Sequence, residues 1–375
     1  MNILIASDSF KDALNSKEVC LAIERGLKRA NPNANTHIFP LADGGEGVKD
    51  VLDFHLGLQT KTVEVHDPLF RKIIARYGIA AMHGGSKHGG TVFIEMAQAA
   101  GLQLLKNEER NPLKTTTFGV SEMILDAITH GAKKIILGIG GSATNDLGMG
   151  LAVALGWKFL DKNKNELIPI GENLIKVESI IPPDKNLLEN VDFEVMCDVN
   201  NPLLGKSGAA HTYAKQKGAS AEDILALEQG GEHFSRLTNP DLVHFPGAGA
   251  AGGLGFGCLY FLNAKIKSGI ATIMDLTGFD KQVDWADIIF TGEGQIDSQT
   301  IQGKLISGVI SRSQNKPVIA LCGSLNLSSQ NLNDLGLKAS FPINQKLTTL
   351  EQSLKTTSEN LEMTAFNIAR LLTKI

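Results

Sequence analysis

The chain has 375 residues, 43% of them hydrophobic and 20% charged, a globular composition with length for more than one domain. Thirty-six Lys and Arg against 40 Asp and Glu leave a formal charge of −4, which gives no basic footprint for nucleic acid. Four cysteines, at 20, 197, 258 and 322, are too dispersed for a metal knuckle and too few to staple the chain, so they read as reduced thiols of a cytoplasmic protein.

In chain order, an apolar run over 3–6, a polar loop and an amphipathic stretch over 16–30 closed by Pro32 read as strand, loop and helix. The opening MNILIASDSFKD passes quickly to charged residues, so no secretory signal is expected. No stretch approaches the roughly 18 apolar residues of a membrane span, and no membrane partner is expected. A second apolar run over 36–41 leads into Asp43-Gly44-Gly45-Glu46, and 48–54 has helical spacing. This βαβα order favours a parallel sheet. From 61 the texture changes. Runs at 61–65, 73–80 and 91–96 are rich in β-formers without room for helices between them, which predicts antiparallel strands. A second domain is expected to begin near 68 and to carry helices at 119–129 and 252–264. Beyond 284, a strand at 287–291, a helix at 304–312, a strand at 318–321 and a last helix at 350–373 restore the βα rhythm. The expected arrangement is a split domain, 1–68 with 284–375, and an inserted domain over 69–283.

Ligands of open parallel sheets sit beyond the carboxyl ends of the strands, so polar residues just after predicted strands are the first candidates. Three loops of the split domain qualify: Asp8-Ser9-Phe10-Lys11, Asp43-Gly44-Gly45-Glu46, and the run from Thr291 through Glu293, Asp297 and Gln299 to Thr300. Each alone also makes an ordinary cap or turn. Together their carboxylates, Lys and glycines suit an anionic ligand with a hard divalent cation. In the inserted domain an apolar run enters Gly138-Ile139-Gly140-Gly141-Ser142-Ala143-Thr144-Asn145-Asp146, a turn able to aim backbone N–H groups at phosphate oxygens. Lys114, Thr115, Thr116 and Thr117 precede a helix start, and Asp198 and Asn200 stand at a strand end. Asp198 reads as a base, a metal ligand or a structural Asx turn. Other apparent motifs fail on spacing. Gly205-Lys206-Ser207 lacks the first glycine of a Walker A loop, and Gly303-Lys304 is followed by Leu305. The segment 247–252 satisfies GxGxxG but follows Pro246 rather than a clear strand, leaving a nicotinamide-dependent dehydrogenase as a rival. The histidines form no HxxxH or HxH pair and no GxSxG elbow is present, so zinc and serine hydrolases lack support.

Taken in order, DSFKDALNS, PLADGGEG, IEMAQAAGL, NPLKTTTFG, GIGGSATNDLG, CDVNNPLLG, QKGA, PGAGAAGGLG and TGEGQIDSQTIQGK resemble bacterial glycerate kinases that carry no Walker A loop. The resemblance implies a flavodoxin-like parallel-sheet domain formed by both chain ends, an inserted mixed α/β domain, and an active site in the cleft between them. It implies transfer of a phosphoryl group from ATP to D-glycerate, at the C2 hydroxyl, with Mg2+ required. The expected partner is this small molecule, and the expected assembly a monomer or homodimer. On that footing Gly138, Gly140, Gly141, Ser142, Thr144 and Asn145, with Lys114 to Thr117, hold ATP phosphates. Asp43, Glu293 and Asp297 are the magnesium candidates. Asp198 accepts the hydroxyl proton, with Asp8 as the alternative and Lys11 beside it. Arg71 faces the glycerate carboxylate, while Ser9, Asp43, Gly44, Gly45, Asn200, Gln299 and Thr300 complete the substrate pocket. Gln295 departs from the Arg common in the family at that place, and a non-catalytic ligand sensor is the second rival.

Overall fold

The computed structural model describes residues 1–44, 47–80, 90–185, 187–297, 300 and 305–372. The chain divides into two compact units, one of residues 1–43, 50–55 and 270–375, the other of 44–49 and 56–269. Among the described residues the strands are β1 (Asn2–Ile5), β2 (Asn35–Ile38), β3 (Gln59–His66), β4 (Lys72–Ile79), β5 (Thr91–Glu95), β6 (Lys134–Gly138), β7 (Lys158–Leu160), β8 (Ser179–Ile181), β9 (Asp192–Met196), β10 (Lys265–Lys267), β11 (Ile288–Ile296), β12 (Val318–Leu325) and β13 (Ala339–Pro342).

The first unit is built on a wholly parallel sheet with the order β13-β12-β11-β1-β2. Counted within the unit this is the flavodoxin order 2-1-3-4-5, and the order reverses between β1 and β11. One face of the sheet buries Ile3, Ile5, Phe290, Ile319 and Leu321 against Val19, Ile23 and Leu27 of helix Ser16–Ala30 and Leu361, Ala365 and Ile368 of helix Thr357–Leu372. Each such side chain stabilises the fold by about 1.5–3 kcal/mol. A capping box opens the first of these helices. Asn15 Oδ1 accepts the Glu18 N–H at 2.9 Å, and Glu18 Oε2 accepts the Asn15 N–H at 3.0 Å.

The second unit holds a mixed six-stranded sheet, β10-β9-β6-β5-β4-β3. The first four strands run parallel, whereas β4 is antiparallel to both β5 and β3. Parallel neighbours need a crossover, and helix Phe118–Thr129 supplies the one from β5 to β6, burying Val120, Met123, Ile124 and Ala127. The β3–β4 connection is instead a tight turn, in which Asp67 Oδ1 accepts the N–H groups of Leu69 and Arg71 at 2.8 and 2.9 Å.

Differences from the sequence reading have physical causes. A boundary at 68 would cut the β3–β4 hairpin, whose register runs from Gln59 opposite Ile79 to His66 opposite Lys72, so β3 goes with the second sheet. Helix Phe279–Trp285 goes with the first unit, because Phe279 packs on Phe39 with ring centroids 5.5 Å apart. The segment expected to leave the sheet after 291 continues as β11 to Ile296, since Glu293 and Gln295 are paired with Cys322 and Ser324 of β12. The last expected helix is two, Leu350–Lys355 and Thr357–Leu372. Among the described residues no helix is long and apolar enough to cross a membrane.

Candidate active site

Asp8 follows β1 and Glu293 lies on β11, so the two carboxylates flank the place where the strand order of the first unit reverses. Open α/β sheets bind ligands beyond the strand ends at such a place. Asp8 Oδ1 accepts the Ser9 N–H at 2.7 Å, with the Ser9 hydroxyl at 3.4 Å. Burial first, then the negative charge of Asp43 and more weakly that of Glu293, push the Asp8 carboxyl up to about 8 against the pull of Ser9. Glu293, 7% exposed, accepts the hydroxyl of Thr300, and that same oxygen receives the Asp297 N–H at 3.1 Å. Asp297 Oδ2 takes the Gln295 side-chain amide at 3.0 Å. Lys11 is exposed on the loop that passes Gly294.

This crowd of buried negative charge is a donor set of the right chemistry for a hard divalent cation. Among the described residues no group of three or more His, Cys, Asp or Glu side chains is arranged to hold a metal ion.

In the second unit the turn after β6 presents Gly140 and Gly141 as its accessible stretch, while 142–150 are buried. Asp146 anchors the turn from behind. Its Oδ2 accepts the Thr117 N–H and hydroxyl, each at 2.8 Å, and the Gly150 N–H at 3.1 Å, while Oδ1 takes the Gly148 N–H at 3.2 Å. Burial pushes its carboxyl above the usual range against these four donors. Thr144 Oγ1 and Asn145 Oδ1 are buried with no hydrogen-bond partner among the described residues. At the neighbouring strand end, Asp198 Oδ1 accepts the Ser268 hydroxyl at 2.8 Å and the Gly269 N–H at 2.9 Å. Gly44 comes to the same place with φ +94°. A Cβ there would stand 3.0 Å from Asp198 Oδ2, and the Gly44 carbonyl lies 3.6 Å from where a Gly138 Cβ would be.

A model of the glycerate kinase family matches residues 3–373. The chain belongs to the glycerate kinase family. It is 42% identical over 98% of its length to a glycerate kinase of Bacillus cereus, of which 97% is covered. It is 38% identical over 99% of its length to a glycerate 2-kinase of Escherichia coli, of which 98% is covered. A crystal structure from Salmonella typhimurium LT2, assigned as glycerate kinase 2, superposes with a TM-score of 0.84 at 40% identity, covering all of this chain and 98% of the other.

For this glycerate kinase family member several sequence expectations need correction. Thr115, Thr116 and Thr117 are fully buried. Thr115 donates to the Ala143 carbonyl at 3.0 Å and Thr117 to Asp146, so these two brace the glycine turn, while Thr116 accepts the Phe118 N–H at 3.2 Å. Lys114 pairs with Glu172 at 2.5 Å. Arg71 is held by Asp67 at 2.6 Å and Glu109 at 2.8 Å, with the Leu104 carbonyl at 3.4 Å, so its guanidinium ties the β3–β4 turn to the segment 104–109. Asn200 is exposed. Gly45 and Gln299 lie outside the described residues. Brought together are Asp8, Asp43, Glu293 and Thr300 in the first unit, and Gly44, Gly138 and Asp198 in the second. The segment 247–252 is not a dinucleotide turn. It follows the short helix Pro240–His244, and its glycines permit close packing, Gly252 against the Thr144–Asn145 backbone and Gly249 against the Pro202 carbonyl. Lys217, only 1% exposed, lies in the QKGA segment noted above, but the sequence reading gave it no role.

Proposed function

We propose that the enzyme transfers the γ-phosphoryl group of ATP to the C2 hydroxyl of D-glycerate. The observation that carries this reading is the placing of Asp8 and Glu293 on either side of the strand-order reversal, in a chain whose family is that of glycerate kinases. The name of the E. coli relative favours C2. Phosphoryl transfer asks for positioned reactants, opposed charge and an oriented nucleophile. The turn from Gly138 to Asn145 would direct backbone N–H groups at the phosphates, where fixed dipoles stabilise developing charge. Asp8 is the group favoured to accept the substrate hydroxyl proton, because a carboxyl pushed up to about 8 is a stronger base than an ordinary Asp. Asp198 then holds Ser268 and Gly269 in place. Asp43 and Glu293, with Asp297 at the strand end, are the residues that would hold Mg2+, which when bound neutralises phosphate charge. Ser9 and Thr300 complete the polar surroundings of glycerate.

The test is coupled ADP release with ATP, Mg2+ and D-glycerate, each omitted in turn, followed by phosphorus NMR of the product. ADP formation needing all three, with a C2 phosphoester, is expected. ADP formation that ignores glycerate, or a C3 ester, overturns the reading.

A further inference from the structure

Lys217 lies in the QKGA segment and has no part in the proposed chemistry, and its surroundings give it one. It sits behind the glycine turn of the second unit. Its Nζ donates to Ser142 Oγ at 2.7 Å and to the Thr144 carbonyl at 2.8 Å. Both lie in the segment 142–145 that leads from the accessible Gly140-Gly141 stretch to Asp146. Thr115 fixes the middle by donating to the Ala143 carbonyl. The segment is therefore clamped at three successive residues, and Lys217 supplies two of the clamps. A buried cation without a nearby anion is costly, and the acidic group whose charge acts on Lys217 is Asp146. Asp146 is already the acceptor for three N–H groups and a hydroxyl, so it answers the ammonium only in part. The Arg110 carbonyl packs on Gly218, and Lys215 of the same short helix is exposed.

We propose that Lys217 is a positioning residue for the reaction: it holds Ser142 and Thr144 so that the turn after β6 faces a nucleotide phosphate, and it becomes the buried counter-charge of that phosphate. The proposal rests on the ATP site proposed above. Two features of the site support it. Burial pushes the Lys217 ammonium down to about 7, with Asp146 pulling the other way, so near neutral pH a proton can be gained or lost. An anion arriving at the turn would favour the charged form, and binding would draw in a proton. The amine keeps its two hydrogen bonds in either state, so the turn stays formed while its field changes.

The experiment uses the purified enzyme, with ADP as the probe, and calorimetric titration at about pH 8 in two buffers of different ionisation enthalpy. Phosphates with a second pKa near 6 are fully ionised there, so they take up no proton themselves. Wild type is expected to take up a measurable fraction of a proton per ADP bound; no uptake overturns the proposal, whatever the variants do. Lys217→Met keeps the length and removes the charge. With its fold checked by circular dichroism, it is expected to raise KM for ATP by about 10- to 100-fold, the scale of lost charge-assisted hydrogen bonds, with KM for glycerate little changed. Its ATP kcat/KM should also lose the pH dependence near 7 that wild type shows. A Lys217→Met enzyme with wild-type KM for ATP and a wild-type pH profile overturns the proposal. Failure of the wild-type enzyme to turn over ATP and glycerate instead overturns the functional reading on which it rests.

Discussion

A carboxyl that keeps its proton well above the ordinary range makes the fold sensitive to pH, and Asp8 is such a group. Its folded value of about 8 stands against 3.8 for the free side chain, so between those values the folded state binds more protons than the unfolded one. Stability therefore falls as pH rises across that window, and the whole cost is present above it. Asp8→Asn, studied without divalent cations, is expected to melt higher than wild type at about pH 8 and to come close to it near pH 4, at the foot of that window, where the cost has only begun. The same variant should lose about two to four orders of magnitude in turnover if Asp8 accepts the proton. Equal melting at both pH values would show that the carboxyl is not strained by its neighbours, and near-normal turnover would return the role to Asp198. Residue types on strand-end loops were readable from sequence at this scale, but their commitments were not. Arg71 and the three threonines looked like ligands because nothing in their spacing says that Asp67, Glu109, Ala143 and Asp146 reach them first.

At the scale of elements, the glycine turn of the second unit depends on a second glycine segment passing close behind it. Gly252 has φ +69°, and a Cβ there would lie 2.0 Å from the Thr144 carbonyl oxygen, the same atom that Lys217 holds. Gly252→Ala is expected to cost about 2–4 kcal/mol and to depress ATP affinity more than glycerate affinity, because the backbone it displaces is 144–145. A variant with unchanged melting and unchanged KM for ATP would mean that the two segments are not coupled. Periodicity marked most strands and the long helices to within a few residues, since alternation and amphipathic spacing are local signals. It could not show that 293–296 stays in β11, because that depends on the partner β12 supplies, nor that 247–252 is a packing surface, because that depends on a chain segment about 100 residues earlier.

For the whole molecule, the chain passes between the two units at 43/44, 49/50, 55/56 and 269/270. The second unit owns a nearly continuous stretch, with its own six-stranded sheet and an apolar core that includes Ile135, Leu137, Phe159, Phe193 and Phe256. A fragment of residues 56–269 is thus expected to unfold in one cooperative thermal transition, and a featureless melt would show that the unit depends on the rest of the chain. The split arrangement was visible in the sequence because the βα rhythm stops and resumes. Its borders were not, because hairpin membership is decided by pairing.

That arrangement also sets an order of events on the ribosome. Ile3 of β1 waits for Ile288 of β11, and at about 5–20 residues per second the wait is on the order of 15 to 60 seconds. By then residues 56–269 have emerged, the last of them about 1 to 4 seconds earlier, so the later-starting unit is the first to be complete. A message broken between residues 269 and 288 would accordingly yield a product that keeps its glycine turn and lacks Glu293, with Ile3, Ile5, Val19 and Ile23 of the first unit left without the β11, β12 and C-terminal helix residues that bury them.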